Sequence, residues 1–299
     1  MSSACTETTP ATEHTVLKPC QREFVFRREY RGSVKGLVLD WSGTTADKYV
    51  IAPAVVFVQV FKNQGVDISM SEARGPMGLR KDLHIRELTK DPSIREKWKS
   101  VHGKYPEQAD VDTMFADFVP AQVACLPEYT DLLPGTAEVC TRLQQQGIKI
   151  GVSTGFLRAM VDVLLKDAIA QGFAPDATVA GDEVDQGARP KPFMVYRNLD
   201  LMDVWPIDSV IKVDDTTGGI GEGLNAGCWT VGVSRYSNYM DINTLAEEKE
   251  LSAEEIERRN EKTKGMLRQA GAHYVIDSIA DIESVIADIN ARLARGERP

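Results

Sequence analysis

With 299 residues, 42% of them apolar, the chain can bury a sizeable core and hold one large or two smaller domains. A net charge of −9 excludes the broad basic field that nucleic acid requires, but it leaves room for a small anionic substrate at a local positive site. Five scattered cysteines, odd in number and without a C-x-x-C pair, argue for a reduced protein and against a disulfide scaffold or a zinc site.

Residues 1–20 are rich in Ser, Thr and Pro and read as poorly ordered, and the alternation over residues 23–27 predicts a short edge strand. The start lacks the basic and apolar regions of a secretion signal, and no apolar run reaches membrane-spanning length. The expectation is a cytoplasmic protein with no membrane partner. Leu37-Val38-Leu39 reads as a strand buried on both faces, and it runs directly into Asp40-Trp41-Ser42-Gly43-Thr44-Thr45. Gly43 lets the backbone approach a ligand closely.

The pattern then turns helical. Residues 53–61 are apolar nearly all round, Gly65 stops that helix, and Ser71 is a capping-type residue before a second segment. Gly75-Pro76-Met77-Gly78 breaks the chain before a helix over residues 79–88, and further helices are predicted over 94–102 and 109–125. From residue 134, helix and strand alternate. Strands are predicted over 148–152, 177–180, 209–213, 229–233 and 273–276, with helices between them. Arg189-Pro190-Lys191-Pro192 opens one of these helices, and the isoleucines and valine at 279, 282, 285, 286 and 289 give the last one a single apolar face. Such alternation implies an α/β fold with a parallel sheet and helices on both faces.

Three polar clusters, at Asp40, Thr154-Gly155 and Asp214-Asp215, each follow a separate apolar strand. All strand carboxyl ends of a parallel sheet lie on one edge, where open α/β sheets bind ligands, so the three can converge. Asp40 has the place of a nucleophile, and a second carboxylate at Asp215 would give a pair of hard oxygen ligands suited to Mg²⁺. Taken singly, a Thr after a strand is an ordinary turn residue, an acidic pair often caps a helix, and a helical Lys is usually solvated.

As a set, and in this order, the motifs resemble the haloacid dehalogenase superfamily of aspartyl-phosphate enzymes. Within it, Asp40-Trp41-Ser42-Gly43-Thr44-Thr45 and Pro76-Met77-Gly78-Leu79-Arg80-Lys81-Asp82-Leu83-His84 look like the phosphonoacetaldehyde hydrolases. The likeness runs from about residue 34 to the C-terminus. It implies a Rossmann-like parallel sheet core, residues 34–48 and 128–299, with an inserted α-helical cap over 49–127 and an N-terminal extension over 1–33. It also implies C–P bond hydrolysis of phosphonoacetaldehyde through an imine on Lys81 and an aspartyl-phosphate on Asp40. Mg²⁺ would be held by Asp40, the Ser42 carbonyl and Asp215, with Asp214 in support. Gly43, Met77, Thr154, Gly155 and Arg189 would bind the small phosphonate, and His84 would relay protons. A homodimer paired through the caps is implied by the resemblance alone.

Two residues depart from the family pattern. Ser42 stands where phosphatases of the superfamily carry a general acid, and where the phosphonoacetaldehyde hydrolases usually carry Ala. Gly219 replaces a further Asp. Arg80, adjacent to Lys81, is expected to lower the amine pKa. The alternatives are a related hydrolase acting on another phosphonate or a phosphate ester, and a non-catalytic binding protein of the same fold.

Overall fold

The protein is described here as a computed structural model covering residues 29–185 and 187–299. The edge strand predicted over 23–27 and the order expected of residues 1–20 both concern positions outside the described residues. Strand β1 (Gly36–Leu39) is followed by five helices: α1 (Ile51–Asn63), α2 (Met70–Arg74), α3 (Lys81–Leu88), α4 (Pro92–His102) and α5 (Gln108–Cys125). The alternating part runs α6 (Thr136–Gln145), β2 (Lys149–Thr154), α7 (Arg158–Ala170), β3 (Ala177–Ala180), α8 (Phe193–Met202) and β4 (Val210–Asp214). It continues with α9 (Thr217–Ala226), β5 (Trp229–Val233), α10 (Leu245–Glu250), α11 (Ala253–Gln269), β6 (Tyr274–Ile276) and α12 (Ile282–Ala294).

The six strands form one parallel sheet in the order β3-β2-β1-β4-β5-β6. Strand order reverses beside β1, so the crevice at the carboxyl ends of β1 and β4 is the topological switch point. Register decides what meets there. Leu39 pairs with Val152 on one side and Val213 on the other. One residue further on, Asp40 is therefore level with Ser153 and Asp214, and the Asp40 N–H still donates to Val213 O at 2.9 Å.

The apolar runs behave as their composition demands. Leu37, Val38 and Leu39 are wholly buried, and the buried face of α12 is Ile282, Val285, Ile286, Ile289 and Leu293. Two local expectations are corrected. Helix α2 is capped by Ser69 rather than Ser71, because Ser69 and Glu72 close a reciprocal capping box. Helix α8 begins at Phe193, after the Arg189–Pro190 segment, which leaves Arg189 in a loop facing the sheet edge. Among the described residues no helix is long and apolar enough to cross a membrane.

Candidate active site

A small cavity opens at the switch point, lined from the sheet by Asp40, Ser42, Thr154, Gly155, Arg189 and Asp215. From the helical insertion it is lined by Met77, Gly78 and Lys81. Residues from both sides of the chain's long excursion thus share one enclosure.

The sheet side is a buried charge cluster. Arg189 Nη2 donates to Asp40 Oδ1 at 2.7 Å and also to the Ser153 carbonyl, and it lies 3.2 Å from Asp214 Oδ2. Its Nε donates to Glu222 Oε2 at 3.0 Å. Lys212, wholly buried within β4, pairs with Asp214 at 2.8 Å and approaches Glu222 at 3.6 Å. Burial pushes the Asp40 carboxyl up from its ordinary value, while the Arg189 guanidinium opposes that shift. Asp215 is raised well above the usual range by burial and then by the charges of Asp40 and Asp214. For Asp214, burial would raise the pKa, but Arg189 and Lys212 outweigh it and hold the group below its ordinary value.

The oxygens of Asp40, Asp214 and Asp215 approach within 4.8 Å of one another. Asp214 spends its oxygens on Lys212, on Arg189 and on the Thr216 N–H and hydroxyl. Asp215 Oδ2 accepts the Asn238 N–H at 2.8 Å, whereas its Oδ1 is buried with no protein partner. An orphaned carboxylate oxygen among like charges fits a hard divalent cation. Gly43 also has a local steric reason. Its φ is +79°, and a Cβ there would lie 2.6 Å from Asp215 Oδ2, so it clears space for that carboxylate. A side chain at Gly219 would meet Asp214 Cγ at 1.8 Å, so Asp214 already fills the space that the family's usual Asp would need.

The insertion side is chemically opposite. Lys81 is 4% exposed, and its ammonium lies 4.4 Å from the Phe156 ring centroid and 5.8 Å from that of Phe57. Among the described residues no salt bridge reaches it. Burial brings its pKa down to about 8, with Asp40 pulling it up and Arg189 pushing it further down. The expectation that Arg80 does this is corrected. Arg80 turns away and pairs bidentately with Asp82 at 2.6 and 2.8 Å. His84 does not line the cavity. It is wholly buried, stacked on Phe57 at 3.7 Å, with Nε2 2.8 Å from the Ala73 carbonyl. A carbonyl can only accept, so Nε2 carries the proton and Nδ1 is a bare acceptor without a protein partner. Burial, and then the charge of Lys81, hold the His84 pKa well below its ordinary value.

The haloacid dehalogenase-like hydrolase family matches residues 34–227. Phosphonoacetaldehyde hydrolase of Syntrophobacter fumaroxidans is 41% identical over 276 residues, which is 92% of this chain and 99% of that one. The chain belongs to the haloacid dehalogenase-like hydrolases, on the phosphonoacetaldehyde hydrolase branch. Phosphonoacetaldehyde hydrolase of Paraburkholderia xenovorans is 43% identical over 266 residues, 89% of this chain and 99% of that one. The crystal structure of a phosphonoacetaldehyde hydrolase-like protein from Oleispira antarctica superposes with a TM-score of 0.89. It is 39% identical and covers 93% of this chain and 100% of that one.

In this phosphonoacetaldehyde hydrolase-family chain, sequence reading misses Lys212, Glu222, Arg74 and Asn238, all buried and polar. A signal exists for the first. A Lys inside the apolar run Val210-Ile211-Lys212-Val213 cannot reach water from a central strand, so it demands a buried anion. Nothing local marks Asn238.

Proposed function

We propose that this chain hydrolyses the C–P bond of phosphonoacetaldehyde, releasing phosphate and acetaldehyde. The observation that carries the reading is the buried, unpaired Lys81 amine opening on the same cavity as Asp40. A pKa near 8 leaves part of the amine neutral at physiological pH, as a nucleophile for an aldehyde must be. Lys81 condenses with the aldehyde, water leaves, and a protonated imine forms. The Asp40 carboxylate then attacks phosphorus, and the electron pair of the breaking C–P bond passes into the iminium to give an enamine. The enamine takes a proton at carbon, water hydrolyses the resulting imine to acetaldehyde and free Lys81, and a second water releases phosphate from Asp40.

Arg189, Thr154 and the Gly155 N–H bind phosphonate oxygens, and Met77 closes the apolar side. A proton relay to and from the amine through His84 is part of the same reading. Mg²⁺, held by Asp40, Asp215 and the Ser42 carbonyl with Asp214 behind them, would supply charge neutralisation at the phosphoryl oxygens. The cap is read as residues 49–127, supported by the run of five helices between β1 and α6. Pairing of two copies through that cap, in the cytoplasm, is part of the same reading.

The alternative of a phosphate-ester substrate meets a chemical obstacle at Ser42, whose hydroxyl cannot protonate an alkoxide leaving group. A different phosphonate aldehyde remains compatible with the site. A phosphonoacetaldehyde hydrolase-like protein of Syntrophobacter fumaroxidans, 42% identical over 281 residues, matches this chain as well as the relatives named hydrolases do. The test is phosphate release across phosphonoacetaldehyde, other phosphonates and phosphate esters, with borohydride added during turnover. Phosphonoacetaldehyde should be cleaved about 10²–10⁴ times faster than esters. Borohydride should inactivate the enzyme by linking the carbon skeleton to Lys81. Lys81→Arg keeps the charge but should lose both trapping and turnover. Near-parental turnover by that variant sinks the imine.

A further inference from the structure

Asn238 belongs to the segment after β5, distant in sequence from every motif that marks the site. Its main-chain N–H donates to Asp215 Oδ2 at 2.8 Å, and the neighbouring Ser237 hydroxyl donates to the Asp215 carbonyl at 2.9 Å. Its side chain faces the other way and is used up on one residue. Asn238 Oδ1 accepts from Arg74 Nη1 at 3.1 Å, and Nδ2 donates to the Arg74 carbonyl at 3.2 Å. Only an amide, with an acceptor and a donor on one carbon, makes both bonds at once.

Arg74 is itself 4% exposed, and among the described residues the acceptors hydrogen-bonded to its guanidinium are all neutral. These are the Tyr49 and Ile242 carbonyls and the amide oxygens of Asn238 and Asn243. Asp241, Asp47, Glu247 and Asp215 answer its charge from beyond hydrogen-bond distance, so the planar fork itself serves to fix several segments at once. Arg74 ends α2, and the loop that follows carries Met77 and leads to Lys81. That loop is seated flush on the sheet edge. A Cβ on Gly78 would lie 2.7 Å from Thr216 Oγ1, and one on Gly155 would lie 2.6 Å from the Leu79 carbonyl. The loop between Arg74 and Lys81 is thus packed directly against the sheet edge that carries Asp40.

We infer that Asn238 is a positioning residue that couples the Asp215 carboxylate, through its backbone, to the Lys81-bearing loop, through its side chain and Arg74. The inference rests on the function proposed above for the same site. It requires that Asn238→Ala loosen the loop while leaving Asp215 in place, because the main-chain N–H survives the substitution.

The experiment compares parent, Asn238→Ala and Asn238→Asp as full chains with Mg²⁺ present. Amide hydrogen exchange over residues 75–81 should quicken by roughly tenfold in Asn238→Ala, the loss of two hydrogen bonds, and exchange in β1 and β4 should not change. Turnover of phosphonoacetaldehyde should fall by about 10²-fold in kcat with KM little altered, since a displacement of about 1 Å has that effect. The Mg²⁺ requirement should stay at the parental value. Asn238→Asp keeps the guanidinium contact but loses the donor to the Arg74 carbonyl, and it should fall between the other two. Parental exchange over 75–81 in Asn238→Ala overturns the inference. So does exchange raised evenly along the whole chain with kcat falling only as the folded fraction falls. A parent enzyme that does not cleave phosphonoacetaldehyde refutes the function, and the exchange comparison still decides the coupling on its own.

Discussion

Lys212 and Lys81 are both removed from water, and their surroundings could hardly differ more. Lys212 lies inside the sheet with Asp214 at 2.8 Å and Glu222 at 3.6 Å, one cation in a cluster whose charges answer each other. Lys81 lies against the faces of Phe57 and Phe156 and has no carboxylate within salt-bridge distance among the described residues. Burial alone therefore does not make a reactive amine. A buried lysine beside an anion has a partner for its charge, whereas one without such a partner gives up its proton more readily than a solvated lysine does.

The largest effect should come from the anionic side of that contrast. Asp215 carries an orphan oxygen among like charges, so removing divalent cations with a chelator should abolish phosphate release, and Mg²⁺ should restore it. Asp215→Asn should raise the Mg²⁺ concentration required. Full activity in excess chelator would break this account.

The same substitution at the two lysines should then give opposite results in chemical denaturation. Lys212→Met leaves the buried carboxylates of Asp214 and Glu222 to Arg189 alone and should cost about 3–5 kcal/mol of folding stability. Lys81→Met replaces an unpaired buried amine by an apolar chain of similar shape, and it should be neutral or stabilising while abolishing activity. Equal losses at both sites would erase the distinction.

A smaller effect lies in the pH dependence of imine formation. The free-enzyme amine loses its proton as pH rises through about 8, so kcat/KM should climb about tenfold per unit below that value and level off above it. A profile still rising at the pKa of an ordinary lysine would mean that Lys81 is hydrated. Smallest of all, Phe156→Ser should admit water beside the amine and move that profile to higher pH by a fraction of a unit to one unit. An unmoved profile would shift the credit from Phe156 to the rest of the enclosure.

Much of the architecture is determined by the sequence itself. Short apolar runs that end in polar clusters, alternating with helical periods, specify parallel strands. Parallel strands bring Asp40, Thr154 and Asp215 to one edge whatever the details of packing. The helical insertion between β1 and α6 is equally legible, because Gly65, Gly75-Pro76 and Gly103 punctuate it. The identity of Lys81 was legible only through its neighbours in the motif, and its chemistry was not. The rings that desolvate it come from α1 and from the turn after β2, and no local pattern encodes which side chains will meet across such separations. For the same reason Arg80, a charge adjacent in the chain, is a false lead, since Asp82 on the other side of Lys81 takes it up. Gly219 reads as a missing carboxylate until the fold shows Asp214 occupying its space. Asn238 and Arg74 meet across 164 residues of chain. Sequence determines where a backbone must turn and which faces are buried, because those choices are local. The charge and proton affinity of each buried group depend on what the far parts of the chain place beside it, and only the tertiary structure decided that.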